Sequence, residues 1–241
     1  MISTASFNRI AVILLMIVTL SGYANAELID RGGGLIYDTL FDVTWLQDAN
    51  HVSTTGYDTS LYGSNYWGQL TWQDAQDWAT SLSYYDSVRN VTWNDWRLPK
   101  MLPINSLTYD LAWNYDGTSD RGFNILSPNS ELSHLYYVTL GNLGAISTEG
   151  VQPQPGWGLQ KTGPFQNIKT SYWSGSEFVA SEDIGYFSMS NGEQLTENIT
   201  LYAAYKYAWA VRDGDVAAVP EPSTIFMLLP GLLYVFSRRK V

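Results

Sequence analysis

The sequence predicts a single α+β domain, and three observations predict it. Strand-like segments open and close the central part of the chain, helical spacing appears between them, and all ten tryptophans fall in that same part. Early strands, two helices and then late strands form one layered unit when the first and last strands share a mixed or antiparallel sheet. The domain is expected over residues 27–218, long enough to bury a sizeable core without a second domain.

The first strands are expected at Leu35 to Tyr37 and Val43 to Leu46, a hairpin across the turn-prone stretch Asp38 to Asp42. Gln47 to Tyr66 is rich in Asp, Ser, Thr, Gly and Asn with no sustained period, and reads as a surface loop. Thr71 to Pro99 is the packing hub of the chain. Trp72, Ala75, Trp78, Ala79 and Leu82 recur at helical spacing, and Thr71 can cap the helix through its hydroxyl. Asp74 and Asp77 suit the positive end of that helix. Ser83 to Asn90 reads as a connecting loop, after which Trp93 and Trp96 supply large rings, Arg97 a planar positive fork and Pro99 a stop.

Lys100 to Asn129 reads as irregular. A second helix is predicted to start at Asn129 or Ser130 and to run through Leu132, Leu135, Tyr136 and Leu140 to Gly141. Gly144 to Gly163 reads as a long loop. The last third returns to strands at Ser171 to Ser174 and Ile184 to Met189, then the turn pair Asn191-Gly192, then a strand over Leu201 to Val211. Within that strand the odd-numbered residues from Tyr205 to Val211 are expected to share one face.

Charge narrows the partners. The whole chain has 13 bases and 23 acids; setting aside Arg9, Arg238, Arg239, Lys240 and Glu221 leaves 9 against 22, a net charge of −13 on the domain. That excludes nucleic acid, whose phosphates require a basic surface. Cations, neutral glycans and a polar matrix are compatible with it. The aromatic content is too high for disorder. With no cysteine, the domain must hold together without disulfides.

Both ends read as address labels. Arg9 precedes the apolar run Ile10 to Leu20, and Ala24 and Ala26 place small residues where a signal peptidase cuts, so residues 1–26 are expected to be a signal peptide and Glu27 the first mature residue. At the other end stand Val219, Pro220, Glu221 and Pro222, then an apolar segment Thr224 to Phe236, then Arg238, Arg239 and Lys240. A helix over that segment would rise only about 20 Å against a hydrocarbon core of about 30 Å, and the basic end would stay cytoplasmic. Residues 219–241 resemble the PEP-CTERM sorting signal of Gram-negative bacteria in tripeptide, hydrophobic stretch and basic end. The resemblance implies exosortase as a processing partner, a transient stay in the inner membrane with the domain in the periplasm, and a final place at the cell surface or in the extracellular matrix.

The domain itself resembles the Lcl C-terminal-like family, whose fold is C-type-lectin-like. The likeness is carried by Asp42 to Asn50, Thr71-Trp72 through Leu82, Asp95 to Pro99, and Ser130-Glu131-Leu132 with His134-Leu135-Tyr136. It continues through Tyr172 to Glu177 and Trp209-Ala210-Val211-Arg212. It implies a lectin-like domain flanked by the signal peptide and the C-terminal hydrophobic helix. Relatives with cysteines differ from this chain, which has none.

No catalytic signature is present, neither a nucleophile elbow nor a metal-binding run. Calcium is the one ion for which ligands can be drawn. Trp93-Asn94-Asp95 spells a tripeptide used for calcium and sugar in true C-type lectins, but its place after the first helix favours a turn with Trp93 packed. Asn114 to Asp120 alternates oxygen ligands around Gly117 but has Ile125 where a calcium loop closes with glutamate, which favours a plain polar turn. Asp38, Asp42, Asp48 and Asp58 are expected to be solvated. His51 and His134 do not define a metal site, and His134 is expected to be buried and hydrogen-bonded. Glu177 and Arg212 are expected within the strand layer, with Arg97 paired to an acid. Tyr57 to Trp67 and Trp157 offer rings on which sugars could stack. These features imply an exported, exosortase-sorted surface protein that binds exopolysaccharide without catalysis. A structural scaffold for protein partners, or a glycan-acting hydrolase, remain as alternatives.

Overall fold

The computed structural model describes residues 27–62, 66–178, 183–198 and 204–216. The signal segment with Ala24 and Ala26, the sorting motif Val219 to Pro222, the hydrophobic segment 224–236 and the basic end Arg238 to Lys240 lie outside the described residues. No helix among the described residues is long and apolar enough to cross a membrane.

The α+β class holds, with sheet dominating. A five-stranded antiparallel sheet contains β1 (Leu28–Asp30), β2 (Leu35–Asp38), β3 (Val43–Leu46), β14 (Val211–Asp213) and β7 (Trp96–Arg97), in that spatial order. The predicted first hairpin and its pairing with the last strand are both present. A seven-stranded sheet runs β4 (Gln69–Leu70), β13 (Lys206–Tyr207), β10 (Ser171–Phe178), β11 (Asp183–Ser188), β12 (Glu193–Asn198), β9 (Arg121–Gly122) and β8 (Trp113–Asn114). It is mixed, because β13 lies parallel to β10 and β8 parallel to β9. A small hairpin joins β5 (Tyr84–Asp86) to β6 (Val91–Trp93), within and beyond what reads from sequence as a connecting loop.

The hub helix, here α3 (Trp72–Ser81), forms where its spacing places it. Thr71 Oγ1 accepts the Asp74 amide at 3.2 Å, and Trp72, Ala75, Trp78 and Ala79 are buried. Gln47 to Tyr66 departs from the loop reading, since it contains α1 (His51–Thr54) and α2 (Tyr57–Tyr62). Both are too short to show a period. The second predicted helix begins as α4 (Glu131–His134) behind Ser130, but Leu135–Thr139 continues it as a π-helical turn. Leu135, Tyr136 and Tyr137 are all buried and continue the buried run Glu131 to His134, so this segment is covered all round and shows no single apolar face.

Leu201 to Val211 is not one strand. Lys206–Tyr207 belongs to the seven-stranded sheet and Val211–Asp213 to the five-stranded sheet, while Ala208, Trp209 and Ala210 between them are all buried. Where a chain passes from one sheet to another both of its faces are covered, so the alternation is lost. Tryptophans secure this junction. Trp209 stands edge-on to Trp45 at 5.0 Å and to Phe165 at 4.8 Å, and its Nε1 donates to the Leu46 carbonyl at 2.7 Å. Trp173 Nε1 donates to Leu70 O and Trp72 Nε1 to Ser174 O. Each ring thus fills the core and ties its polar atom to a neighbouring element.

Several charged residues sit differently from the expectation. Asp38 and Asp58 are buried, not solvated. Asp38 Oδ1 accepts the Leu40 amide, and burial raises its carboxyl above the usual range despite nearby backbone donors and the Trp45 indole. Asp58 Oδ2 accepts the Gly68 amide. Glu177 is exposed at the far end of β10, while Arg212 is buried in the sheet as expected. His134 is buried against Phe41, ring centroids 5.0 Å apart, but its Nδ1 has no hydrogen-bond partner. Burial lowers its pKa below the usual histidine value.

Candidate functional site

The acidic motifs do not assemble into an ion site. Both Asp95 oxygens receive Arg212, from Nε at 2.8 Å and Nη2 at 2.7 Å, and the guanidinium lies 4.2 Å from the Trp93 ring. Arg212 first, against a smaller desolvation, holds the Asp95 carboxyl below its usual range. The tripeptide is therefore the end of β6 and its link to β7, latched to β14, with Trp93 packed as expected but no turn formed. Arg97 makes the neighbouring latch. Its Nη1 and Nη2 each meet one oxygen of the nearly buried Glu131 at 2.9 Å, and its Nε and Nη2 reach Asp213. These pairs fix α4 and β7 to the closing strand.

In Asn114 to Asp120 the oxygens serve the loop itself. Asn114 Oδ1 accepts the Tyr115 amide, Asp116 Oδ1 accepts the Thr118 amide and hydroxyl, and buried Asp120 accepts the amides of Ile104 and Asp110. Among the described residues no group of three or more His, Asp or Glu side chains could hold a metal ion.

What the loop presents is aromatic. Trp113 stands on β8, the edge strand of the seven-stranded sheet, and is 46% exposed; Tyr115 follows at 38%. Their centroids are 6.5 Å apart, with Phe123 supporting Trp113 from below at 6.1 Å. Trp113 Nε1 donates to Glu193 Oε1 at 2.9 Å, which sets the indole plane. Tyr115 is held from two sides. The Asn124 amide group donates to Tyr115 O and to Ile146 O, joining this loop to the next one, and Gly150 lies beneath the Tyr115 ring where a Cβ would come within 3.3 Å.

That next loop is a hairpin without strands. Gly158 N donates to Leu143 O, Gln154 N to Ala145 O and Ser147 N to Val151 O. It carries the exposed Leu143, Val151 and Trp157. It is anchored on the β11–β12 turn, where Ala145 N donates to Asn191 O and Tyr137 Oη to Gly192 O. Gly192, at φ 84°, lies so close to Tyr137 and Tyr136 that no side chain fits there. Rings and loop thus form one supported face running from Trp113 to Trp157.

Charge on this face is negative. Asp116, through its bonds from Thr118, and Glu149, through its bond from Thr148, both titrate below the usual carboxylate range and are ionised at neutral pH. Glu193 adds a third carboxylate. An exposed pair of rings rimmed by hydrogen-bond acceptors can stack on the C–H face of a sugar and accept its hydroxyl protons, while repelling polyanions.

Two other candidates stand apart. Trp67 is 70% exposed beside the Tyr66–Tyr205 ring pair, whereas Tyr57 is half-buried. A cavity of about 300 Å³ opens at the end of the seven-stranded sheet and has no carboxylate in its lining. Trp157 is visible in the sequence as a candidate ring; Trp113 and Tyr115 are not, because the polar run around them reads as a plain polar turn. The signal that could have found them is a Trp-x-Tyr pair in a stretch with no helical or strand period, where apolar rings have no core face to join. No protein family, curated protein or solved structure matches this chain.

Proposed function

We propose that this chain is an exported surface or matrix protein whose lectin-like domain binds exopolysaccharide through the Trp113–Tyr115 face. The observation that carries the proposal is the pair of exposed rings held in place by Glu193, Asn124 and Gly150. A preorganised aromatic platform limits the ordering cost of binding, which is what a weak sugar contact needs. The surrounding carboxylates favour a neutral glycan. Pairing of the first hairpin with the last strand, and long loops between short strands, are compatible with the C-type-lectin-like fold that the sequence resembles.

The address labels supply the rest of the reading. The signal peptide over 1–26 exports the chain, and the PEP-CTERM-like tail over 219–241 is recognised and processed by an exosortase after a transient stay in the inner membrane. Mass spectrometry of the protein recovered from its native host tests this: an N-terminus at Glu27 and a C-terminus near Pro220 are expected, and an intact tail would refute the sorting step.

Calorimetric titration with neutral exopolysaccharide, in calcium and in chelator, tests the binding step. Saturable binding unchanged by chelator is expected, with Trp113→Ala weakening it about tenfold, as for the loss of one anchoring ring. Equal binding by Trp113→Ala would show that the platform is not the site.

A further inference from the structure

The cavity at the sheet end suits a different ligand from the aromatic face. It forms where β10 begins and β11 ends, bounded by Ile168 and Lys169 ahead of β10, Met189 and Ser190 after β11, Tyr207 on β13, and Leu159 from the long loop. Most of that wall is hydrocarbon: Met189 is fully buried, and Leu159 and Ile168 are packed on the core beside the Tyr207 ring. No acid lines it.

Lys169 distinguishes this cavity. The described residues include nine bases. Six of them, Arg31, Arg89, Arg97, Lys100, Lys206 and Arg212, are ion-paired. Arg121 and Lys161 donate to the carbonyls of Leu111 and Gly141. Lys169 alone among the described residues has an ammonium group with no partner, although its own amide is anchored, donating to Tyr172 Oη at 2.6 Å. In a domain with 22 acids and 9 bases, a residue that lines an apolar cavity and carries a cation with no partner offers that cavity a complement to negative charge.

We infer that this cavity binds a small alkyl carboxylate, with its chain on Leu159, Ile168 and Tyr207 and its carboxylate on Lys169. One ammonium matches one negative charge, and the hydrocarbon wall rewards an alkyl chain over a sugar ring. Ser190 also lines the cavity, its hydroxyl hydrogen-bonded to that of Ser188 at 2.9 Å. The inference is independent of glycan binding at the Trp113 face.

The test is calorimetric titration of the full chain with butyrate, hexanoate and octanoate, and with 1-octanol as the uncharged control. Affinity should rise roughly fourfold per added methylene, and octanoate should bind about tenfold tighter than octanol. Lys169→Ala should erase the preference for the acid, and Lys169→Arg should keep it. Because apolar stretches near the chain ends also take up alkyl chains, Leu159→Asp serves as a second variant and should abolish octanoate binding. Absence of octanoate binding at millimolar concentration, insensitivity to chain length, an acid preference unchanged in Lys169→Ala, or octanoate binding unchanged in Leu159→Asp would each overturn the assignment.

Discussion

Trp209 and Trp113 are the same residue type put to opposite uses. Trp209 is fully enclosed at the crossing between two sheets, touching Trp45, Phe165 and Tyr172, with its indole nitrogen committed to Leu46. Trp113 lies on an edge strand, half open to water, with its indole nitrogen committed to a surface carboxylate. Both are fixed in orientation by one hydrogen bond. What differs is whether the ring face is covered, so aromatic content divides into a share that holds the fold and a share that is available to a ligand.

The sharpest test of that division is stability. Trp209→Ala should cost about 3–5 kcal/mol in urea unfolding, through the cavity it leaves, while Trp113→Ala should cost less than about 1 kcal/mol. Equal losses would break the comparison. The latches give the next largest effect. Arg97→Ala should destabilise by about 3 kcal/mol because it leaves the nearly buried Glu131 without an opposite charge and with only the Lys100 amide as donor. Arg212→Ala should cost less in the same measurement, since the Asp95 side chain it releases is 57% exposed and can return to water.

The smallest effect is a pH slope. The folded-state pKa of Asp38 is raised by burial, so its contribution favours folding at acid pH and is lost as pH rises from about 4 through that raised value. Asp95, lowered first by Arg212, and Asp213, lowered first by Arg97, act in the opposite sense. Their stabilisation is present above the unfolded-state value and is lost as pH falls through the lowered one. Asp38→Asn removes only the first of these. Its melting temperature should therefore gain on the wild type between pH 4 and 7; a constant difference would mean that Asp38 does not titrate in this range.

Much of the fold was legible where one face of an element meets one layer. Thr71 to Leu82 read correctly because its apolar spacing reports a single covered side, and the first hairpin because two strand-like runs flank a turn-prone stretch, although both of its strands are covered on both faces. The reading failed where neither cue applies. Glu131 to Tyr137 are buried all round the second helix, and Ala208 to Ala210 are covered on both faces at the sheet crossing. Burial of Asp38 and Asp58 was invisible for a related reason. Their partners are backbone amides of Leu40 and Gly68, which every sequence possesses. The candidate face depends on the same kind of information, since Asn124 and Gly150 support Tyr115 from loops with no period at all.

The placement of β14 has a consequence for the life of the nascent chain. This strand lies between β3 and β7 inside its sheet, and it pairs Asp213 with Val43, about 170 positions earlier. The five-stranded sheet therefore has a gap in its middle until nearly all of the domain has left the ribosome. Contacts this distant in sequence slow folding and make it concerted. A polypeptide still lacking Val211–Asp213 cannot join β3 to β7, so the five-stranded sheet closes only after that segment arrives.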